Sequence, residues 1–308
     1  MRYVVTGGAG FIGSHIAESL SKKHEVIILD NLFTGKRENI ESLPDKNTIE
    51  CVEGSITDSS LLHDLFQNAD GIFHQAAIPS VPRSIEDPAA TNEANITGTL
   101  NVLIAAKDCG VKKVVYASSS SVYGDTPTLP KVESMTPNPK SPYAVSKLAG
   151  EYYCRVFSGV YGLETVSLRY FNVFGPRQDP KSEYAAVIPR FITRILDGKP
   201  PIIYGDGEQT RDFTYVKDVV QANVKAMQSN ACGVFNVAYN QRINLLQLAD
   251  QIMGYTGINV RPFHEAARPG DIKDSLADIS AAEHAFGYFP KYTVKTGLEE
   301  TIEWFRGQ

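Results

Sequence analysis

Tyr143 and Lys147 stand four residues apart in SPYAVSK (141–147), a spacing that puts both side chains on one face of a helix. The pair is ordinary surface packing unless something nearby favours a phenolate. A lysine ammonium beside the ring, together with a cationic ligand, lowers a phenol from its usual value of about 10 toward working pH. A phenolate in that range serves as a general base. Four serines, Ser118 to Ser121 in YASSSSVYGD (116–125), offer a hydroxyl to the same reacting oxygen, and spacing alone does not separate them.

The positive charge has a source near the N-terminus. TGGAGFIG (6–13) matches GxGxxG as Gly8, Gly10 and Gly13, and GxxGxxG as Gly7, Gly10 and Gly13. Glycines let the backbone approach a pyrophosphate, whose charge then rests on a helix N-terminus. A plain strand–helix turn would use the same residues, so context decides. A strand, RYVVT (2–6), precedes; a helix follows from Phe11; Asp30 ends the second strand, 20 residues beyond Gly10. A carboxylate there hydrogen-bonds a ribose 2′-hydroxyl and repels a 2′-phosphate, which selects NAD over NADP. NAD⁺ is the cation that the Tyr143–Lys147 pair needs.

The elements that must position these groups alternate along the chain. Apolar runs at 25–30, 48–54, 71–77, 112–118 and 164–170 read as further strands. Helices are expected at 11–23, about 89–109, and 142–161, the last opened by Pro142. Such alternation predicts an α/β fold, a doubly wound parallel sheet of Rossmann type. Beyond Asn172 the texture changes to turn-rich sequence with shorter elements, which predicts a smaller mixed α/β domain. The expected division is 1–172 with 212–241 returning to the sheet, against 173–211 and 242–308.

Bulk properties narrow the class. The chain has 308 residues, 43% hydrophobic and 21% charged, with a net charge of −5 and no long basic run, which argues against nucleic acid or a membrane surface as partner. The four cysteines form no CxxC pair, and the six histidines show no HExxH or comparable spacing, so no metal is expected. GxSxG is missing, which disfavours a serine hydrolase. No apolar run reaches the roughly 20 residues of a membrane helix, and the chain opens directly on a strand. A cytoplasmic location is expected.

With these motifs in order along nearly the whole chain, the sequence resembles the extended short-chain dehydrogenase/reductases, and among them the UDP-sugar 4-epimerases. The resemblance is carried by TGGAGFIG, Asp30-Asn31, HQAA (74–77), Asn95, SSSSVYGD, YAVSK, LRYFNVFGPRQ (168–178), RDFTYVKDV (211–219) and RPGD (268–271). It implies Tyr143 as base, Lys147 as its partner and Ser119 as the catalytic serine. It implies an NAD site lined by Gly7, Gly10, Phe11, Ile12, Gly13, Asp30, Asn31, Gly35, Ile56, Gln75 and Asn95, with Tyr143 and Lys147 at its inner end and Tyr170 bordering the nicotinamide. Asn172, Val187, Tyr204, Arg211, Arg268 and Asp271 would hold the UDP moiety, with Ser119, Ser120 and Tyr143 near the sugar. The family also implies a homodimer through the helices near 89–109 and 143–161. One departure is Ser55, where many relatives carry an aspartate that meets the adenine.

The activity so implied is reversible oxidation at sugar C4, rotation of the 4-keto sugar and hydride return, with NAD tightly held and not consumed. Dehydratases of this scaffold carry Asp-Glu where this chain has Ser120 and Ser121, and decarboxylases carry a glutamate in this loop that is missing here. A UDP-glucuronate 4-epimerase shares the loop and is the alternative. A non-catalytic NAD-binding scaffold and a net sugar reductase rank lower, since the Tyr–Lys pair is intact and Asp30 disfavours NADPH. Ser275 falls four residues after Asp271, where the family has a gate beside the sugar C2 substituent. A small residue there implies that UDP-GlcNAc and UDP-GalNAc are accepted beside UDP-glucose and UDP-galactose.

Overall fold

The computed structural model describes residues 1–44, 46–180, 186–267 and 273–308. Seven strands form one sheet: β1 (Arg2–Thr6), β2 (Glu25–Asp30), β3 (Ile49–Glu53), β4 (Gly71–His74), β5 (Lys113–Ser119), β6 (Glu164–Tyr170) and β7 (Gly233–Val237). Their order is β7-β6-β5-β4-β1-β2-β3. Every neighbouring pair is parallel. The order reverses between β1 and β4, and in such sheets ligands bind beyond the strand ends at that crevice. β1, β2, β5 and β6 are almost wholly buried, because helices cover both faces; β1, β2 and β5 accordingly read as largely apolar runs, while β6 buries Thr165, Ser167 and Arg169 between Val166, Leu168 and Tyr170.

Two apolar layers sandwich the sheet. One joins Val5, Ile28, Phe73 and Val115 to Ile16 and Val219; the other joins Val4, Ile27, Ile72 and Val114 to Leu103 and Phe157. A third core, around Phe191, Ile195, Leu248 and Leu298, packs the helices Val187–Leu196, Leu245–Thr256 and Val294–Arg306. The middle one starts at a capping box of Asn244 and Gln247 and ends at left-handed Gly257.

Two elements differ from expectation. The strand expected over 71–77 ends at His74, and Gln75 to Ala77 leave the sheet to line a cavity. The helix expected over 89–109 is α-helical at Pro88–Asn92 and Gly98–Asp108 but takes a π turn at Glu93–Thr97. Within that turn the Asn95 side chain accepts from the Ile78 amide (2.7 Å) and donates to the Ile78 carbonyl (3.1 Å). A π turn commonly marks a place where a functional contact outweighs regular helix.

Candidate active site

The glycine loop is built for close approach. Gly7 adopts φ +71°, and a β-carbon there would lie 2.6 Å from the Ala76 nitrogen. A β-carbon on Gly13 would lie 2.1 Å from the Gly7 carbonyl oxygen. The loop therefore packs backbone on backbone and delivers the helix Phe11–Ser21 with Gly10 as N-cap, no capping side chain and no acid in its first turn. Its amide donors face a cavity of about 770 Å³ whose wall includes Gly7, Gly10, Phe11, Ile12, Gly13, Asp30, Asn31, Gly35, Ile56, Gln75, Tyr143, Lys147 and Tyr170. Such a cradle suits a pyrophosphate.

Asp30 ends β2 at this cavity. Its carboxylate accepts from the amides of Ala9 (2.9 Å) and Leu32 (2.8 Å). Burial raises its carboxyl above the ordinary range, against those amides. Ser55 also lines the cavity. Its hydroxyl hydrogen-bonds the Thr57 hydroxyl at 2.8 Å and accepts from the Thr57 amide, so it is engaged within its own turn. Lys36 and Asp179 form an ion pair of 3.0 Å between two segments of the wall.

At the inner end, the helix Pro142–Tyr161 is capped by the Ser141 hydroxyl, which accepts from the Ala144 amide. One turn separates Tyr143 from Lys147, and both reach the cavity. Lys147 is 3% exposed. Its ammonium donates to the Ala117 carbonyl at 2.8 Å and lies 5.8 Å from the Tyr143 ring centroid. Burial lowers Lys147 to about 7. Burial also raises the Tyr143 phenol, and a hydrogen bond with Ser119 opposes that rise. The protein's own groups thus keep the phenol protonated near neutrality; a cation at the cavity end is needed to favour phenolate.

The fold separates the four serines. Ser118 is part of the cavity wall, but its hydroxyl donates to Glu151. Ser119 meets Tyr143, and its oxygen also accepts from the Ser121 amide at 3.2 Å. Ser120 is half-buried. The Ser121 hydroxyl is buried without a partner among the described residues. Glu151 is in turn gripped by both arms of Arg169, at 2.8 and 2.7 Å, and the guanidinium lies 4.6 Å from the Tyr123 ring centroid. This buried fork ties the end of β6 to the helix that carries Tyr143, and the Ser118 bond ties in the end of β5. Sequence reading missed it, although Glu151 falls eight residues after Tyr143, on the same helix face.

Gln75 and Tyr170 meet across the sheet at 3.2 Å, joined by Asn223, whose amide donates to the Tyr170 hydroxyl at 2.8 Å. Asn223 was not anticipated. Asn95, expected at the cofactor wall, lies behind it: it is 1% exposed and bonds Ile78 and the Ser146 hydroxyl, so it shapes the wall rather than forming it. His74 is buried between the hydroxyls of Thr6 (2.7 Å) and Thr99 (2.9 Å), and desolvation lowers it to about 3. It is a neutral core histidine.

The remaining expected residues gather on other segments. Asn172 donates to the Asp212 carbonyl at 3.2 Å, next to Arg211. Arg211 donates to the Lys273 carbonyl at 3.3 Å, and the Ser275 amide donates to the Thr210 carbonyl at 3.1 Å, so the segment carrying Ser275 runs beside the strand carrying Arg211. Val187 opens its helix half-buried, and Arg190, one turn on, reaches the Tyr204 hydroxyl at 3.5 Å. Arg190 was unforeseen; its signal is the three-residue step from Val187. Arg268 and Asp271 lie outside the described residues. Among the described residues, no group of three His, Cys, Asp or Glu is placed to hold a metal, and no helix is long and apolar enough to cross a membrane.

Glycine cradle, switch-point cavity and Ser–Tyr–Lys cluster together define a nucleotide-binding oxidoreductase type of site. The family model for the NAD dependent epimerase/dehydratase family matches residues 3–240, and the chain belongs to that family. A solved UDP-N-acetylglucosamine 4-epimerase from Methanobrevibacter ruminantium, in complex with UDP-N-acetylmuramic acid, is 44% identical with a TM-score of 0.96, covering 100% of this chain and 98% of that one. The UDP-glucose 4-epimerase of Mycolicibacterium smegmatis is 39% identical over 312 residues, covering 100% of this chain and 99% of its own. A Bacillus cereus UDP-glucuronic acid 4-epimerase, solved with UDP-glucuronic acid and NAD, is 34% identical with a TM-score of 0.92, covering 100% and 99%.

Proposed function

We propose that the protein is a UDP-sugar 4-epimerase that interconverts UDP-GlcNAc and UDP-GalNAc as well as UDP-glucose and UDP-galactose. The observation that carries this is the Tyr143–Lys147 pair at the inner end of the glycine-lined cavity, with Ser119 hydrogen-bonded to Tyr143. Gly7, Gly10 and Gly13 with the first turn of the helix would receive the coenzyme's pyrophosphate, and Asp30 its ribose. When bound, NAD supplies a hydride acceptor and donor at C4 and a positive charge beside the phenol. Tyr143 then takes the proton from O4, Ser119 hydrogen-bonds that oxygen, and Lys147 supports the phenolate. The 4-keto sugar turns while its UDP end stays held by Arg211, Asn172 and Tyr204. Tyr143 returns its proton to O4, leaving C4 inverted with no net redox change. We assign coenzyme binding to residues 1–172 with 212–241, and sugar-nucleotide binding to 173–211 and 242–308.

The test is an incubation of purified protein with UDP-GlcNAc or UDP-glucose, no NAD added, followed by proton NMR of the anomeric signals. Conversion to the galacto epimers is expected, since a tightly held coenzyme is recycled. Failure with NAD⁺ added would sink this reading and bring UDP-glucuronate forward. Ser275 is half-buried and held by its backbone beside Arg211. Ser275→Tyr should cut kcat/KM for the N-acetyl pair at least tenfold and spare the glucose pair. Equal losses on both pairs would rule out a size gate.

We further propose a homodimer through the helix Pro142–Tyr161. Val145, Tyr152, Val156 and Val160 form an exposed apolar stripe along it, the kind of face that marks an interface. Sedimentation should report a dimer, and Val156→Asp should shift it toward monomer. A monomeric wild type would refute the assignment.

A further inference from the structure

Asp212 follows Arg211 in the chain and is 0% exposed. Its Oδ1 accepts from the Tyr239 amide at 3.0 Å and its Oδ2 from the Ala277 amide at 3.1 Å. The amides of Asn240 and Gln241 also point to it, and no charged side chain is among these partners. Burying a carboxylate against amides alone is costly, and desolvation raises Asp212 to about 7 despite them. An isosteric neutral side chain would fill the same space at lower desolvation cost, so core packing alone gives little reason for an acid here.

The segments it ties together are informative. Ala277 lies two residues after Ser275, whose amide is bonded to Thr210. Thr210 takes a second grip through its hydroxyl, which donates to Asp274 at 2.6 Å. The Asp212 backbone carbonyl accepts from Asn172. Three separate stretches, carrying Asn172, Arg211 and Ser275, therefore converge on this one residue.

We infer that Asp212 is a positioning residue: its two carboxylate oxygens hold the Ser275 segment and the Tyr239 turn in register with the strand that carries Arg211, and so set the sugar-nucleotide half of the site. The inference rests on the reading of that half as a UDP-sugar site. Asparagine at this position presents an NH₂ group to one of the two amides in place of an acceptor. One tie is lost while side-chain volume stays the same. The glycine loop and the Ser119–Tyr143–Lys147 cluster make no contact with the carboxylate and should be unmoved.

The experiment compares wild type with Asp212→Asn in three readouts: NAD content after extraction, UDP affinity by calorimetry, and kcat and KM on UDP-GlcNAc and UDP-glucose. The expected result is unchanged NAD content, kcat within about threefold, UDP affinity and KM weakened tenfold or more, and a several-fold change in the preference between the two sugars. UDP affinity and sugar preference equal to wild type would overturn the inference. Loss of NAD or of folding in D212N would also overturn it, in favour of a general structural role. Amide exchange on the wild type gives a second check: one carboxylate holding both segments requires the Tyr239 and Ala277 regions to open together, and independent opening counts against it. A wild type that neither binds UDP nor turns over either sugar would sink the underlying reading instead.

Discussion

Tyr143→Phe is expected to lower kcat by about 10²–10⁴-fold, the usual worth of a positioned acid–base group, while NAD and UDP stay bound. The phenol hydroxyl is the group the proposed chemistry needs, and the fold does not need it. Tyr143 is half-buried at the cavity end, and Ser119 keeps its bond from the Ser121 amide when the phenol oxygen is gone. The ring remains to fill its place. Steady-state rates, NAD content and the thermal midpoint together check this. Activity within tenfold of wild type would remove Tyr143 from the chemistry. A large fall in midpoint would make the loss one of folding.

The second expectation sets activity against stability. Lys147→Met should lower kcat roughly 10²–10³-fold, because the phenolate loses its neighbouring cation, yet the protein should be no less stable at neutral pH. Burial shifts Lys147 from 10.5 to about 7, and a shift of that size is on the order of 5 kcal/mol. Against it stands the Ala117 carbonyl left without its donor, about 1–3 kcal/mol. The sign with pH follows from proton counts. Below pH 7 both folded and unfolded chains carry the lysine proton, and the whole burial cost is present. Between about 7 and 10.5 the unfolded chain holds more protons, so wild-type stability rises with pH through that window relative to the variant. Thermal midpoints of both proteins at pH 6, 7 and 9 would show the methionine variant's advantage shrinking as pH rises. A variant less stable at pH 6 than at pH 9, relative to wild type, would contradict the buried-ammonium account. Buried groups that cost stability and persist are the ones that function retains.

How much was legible beforehand varied with the range of the interactions. β1 and β2 were readable to the residue, because a strand buried on both faces is close to a continuous apolar run; β6 also kept its expected span, although it alternates Val166, Leu168 and Tyr170 with buried polar residues. The helix Pro142–Tyr161 kept its expected span, opened by Pro142; the structure adds a Ser141 cap at one end and left-handed Gly162 at the other. The π turn at Glu93–Thr97 left no such signal, since it depends on Asn95 reaching Ile78, seventeen residues away. The same reach moved Asn95 from the expected cofactor wall to a place behind it. The four serines were indistinguishable in sequence; what parts Ser118 from Ser119 is the alternation of β5, which sends one side chain to Glu151 and the next to Tyr143.

Taken by itself, the sequence determined the doubly wound sheet, the glycine cradle, the acid at the end of β2 and the Tyr–Lys step on a helix, because each is written in local spacing and patterning. Tertiary structure decided which serine faces the phenol, that Glu151 and Arg169 brace it, that Asn223 joins Gln75 to Tyr170, and that Asp212 gathers segments more than sixty residues apart. These depend on where distant strands end relative to one another and on which polar groups lose water together. Spacing along the chain carries neither.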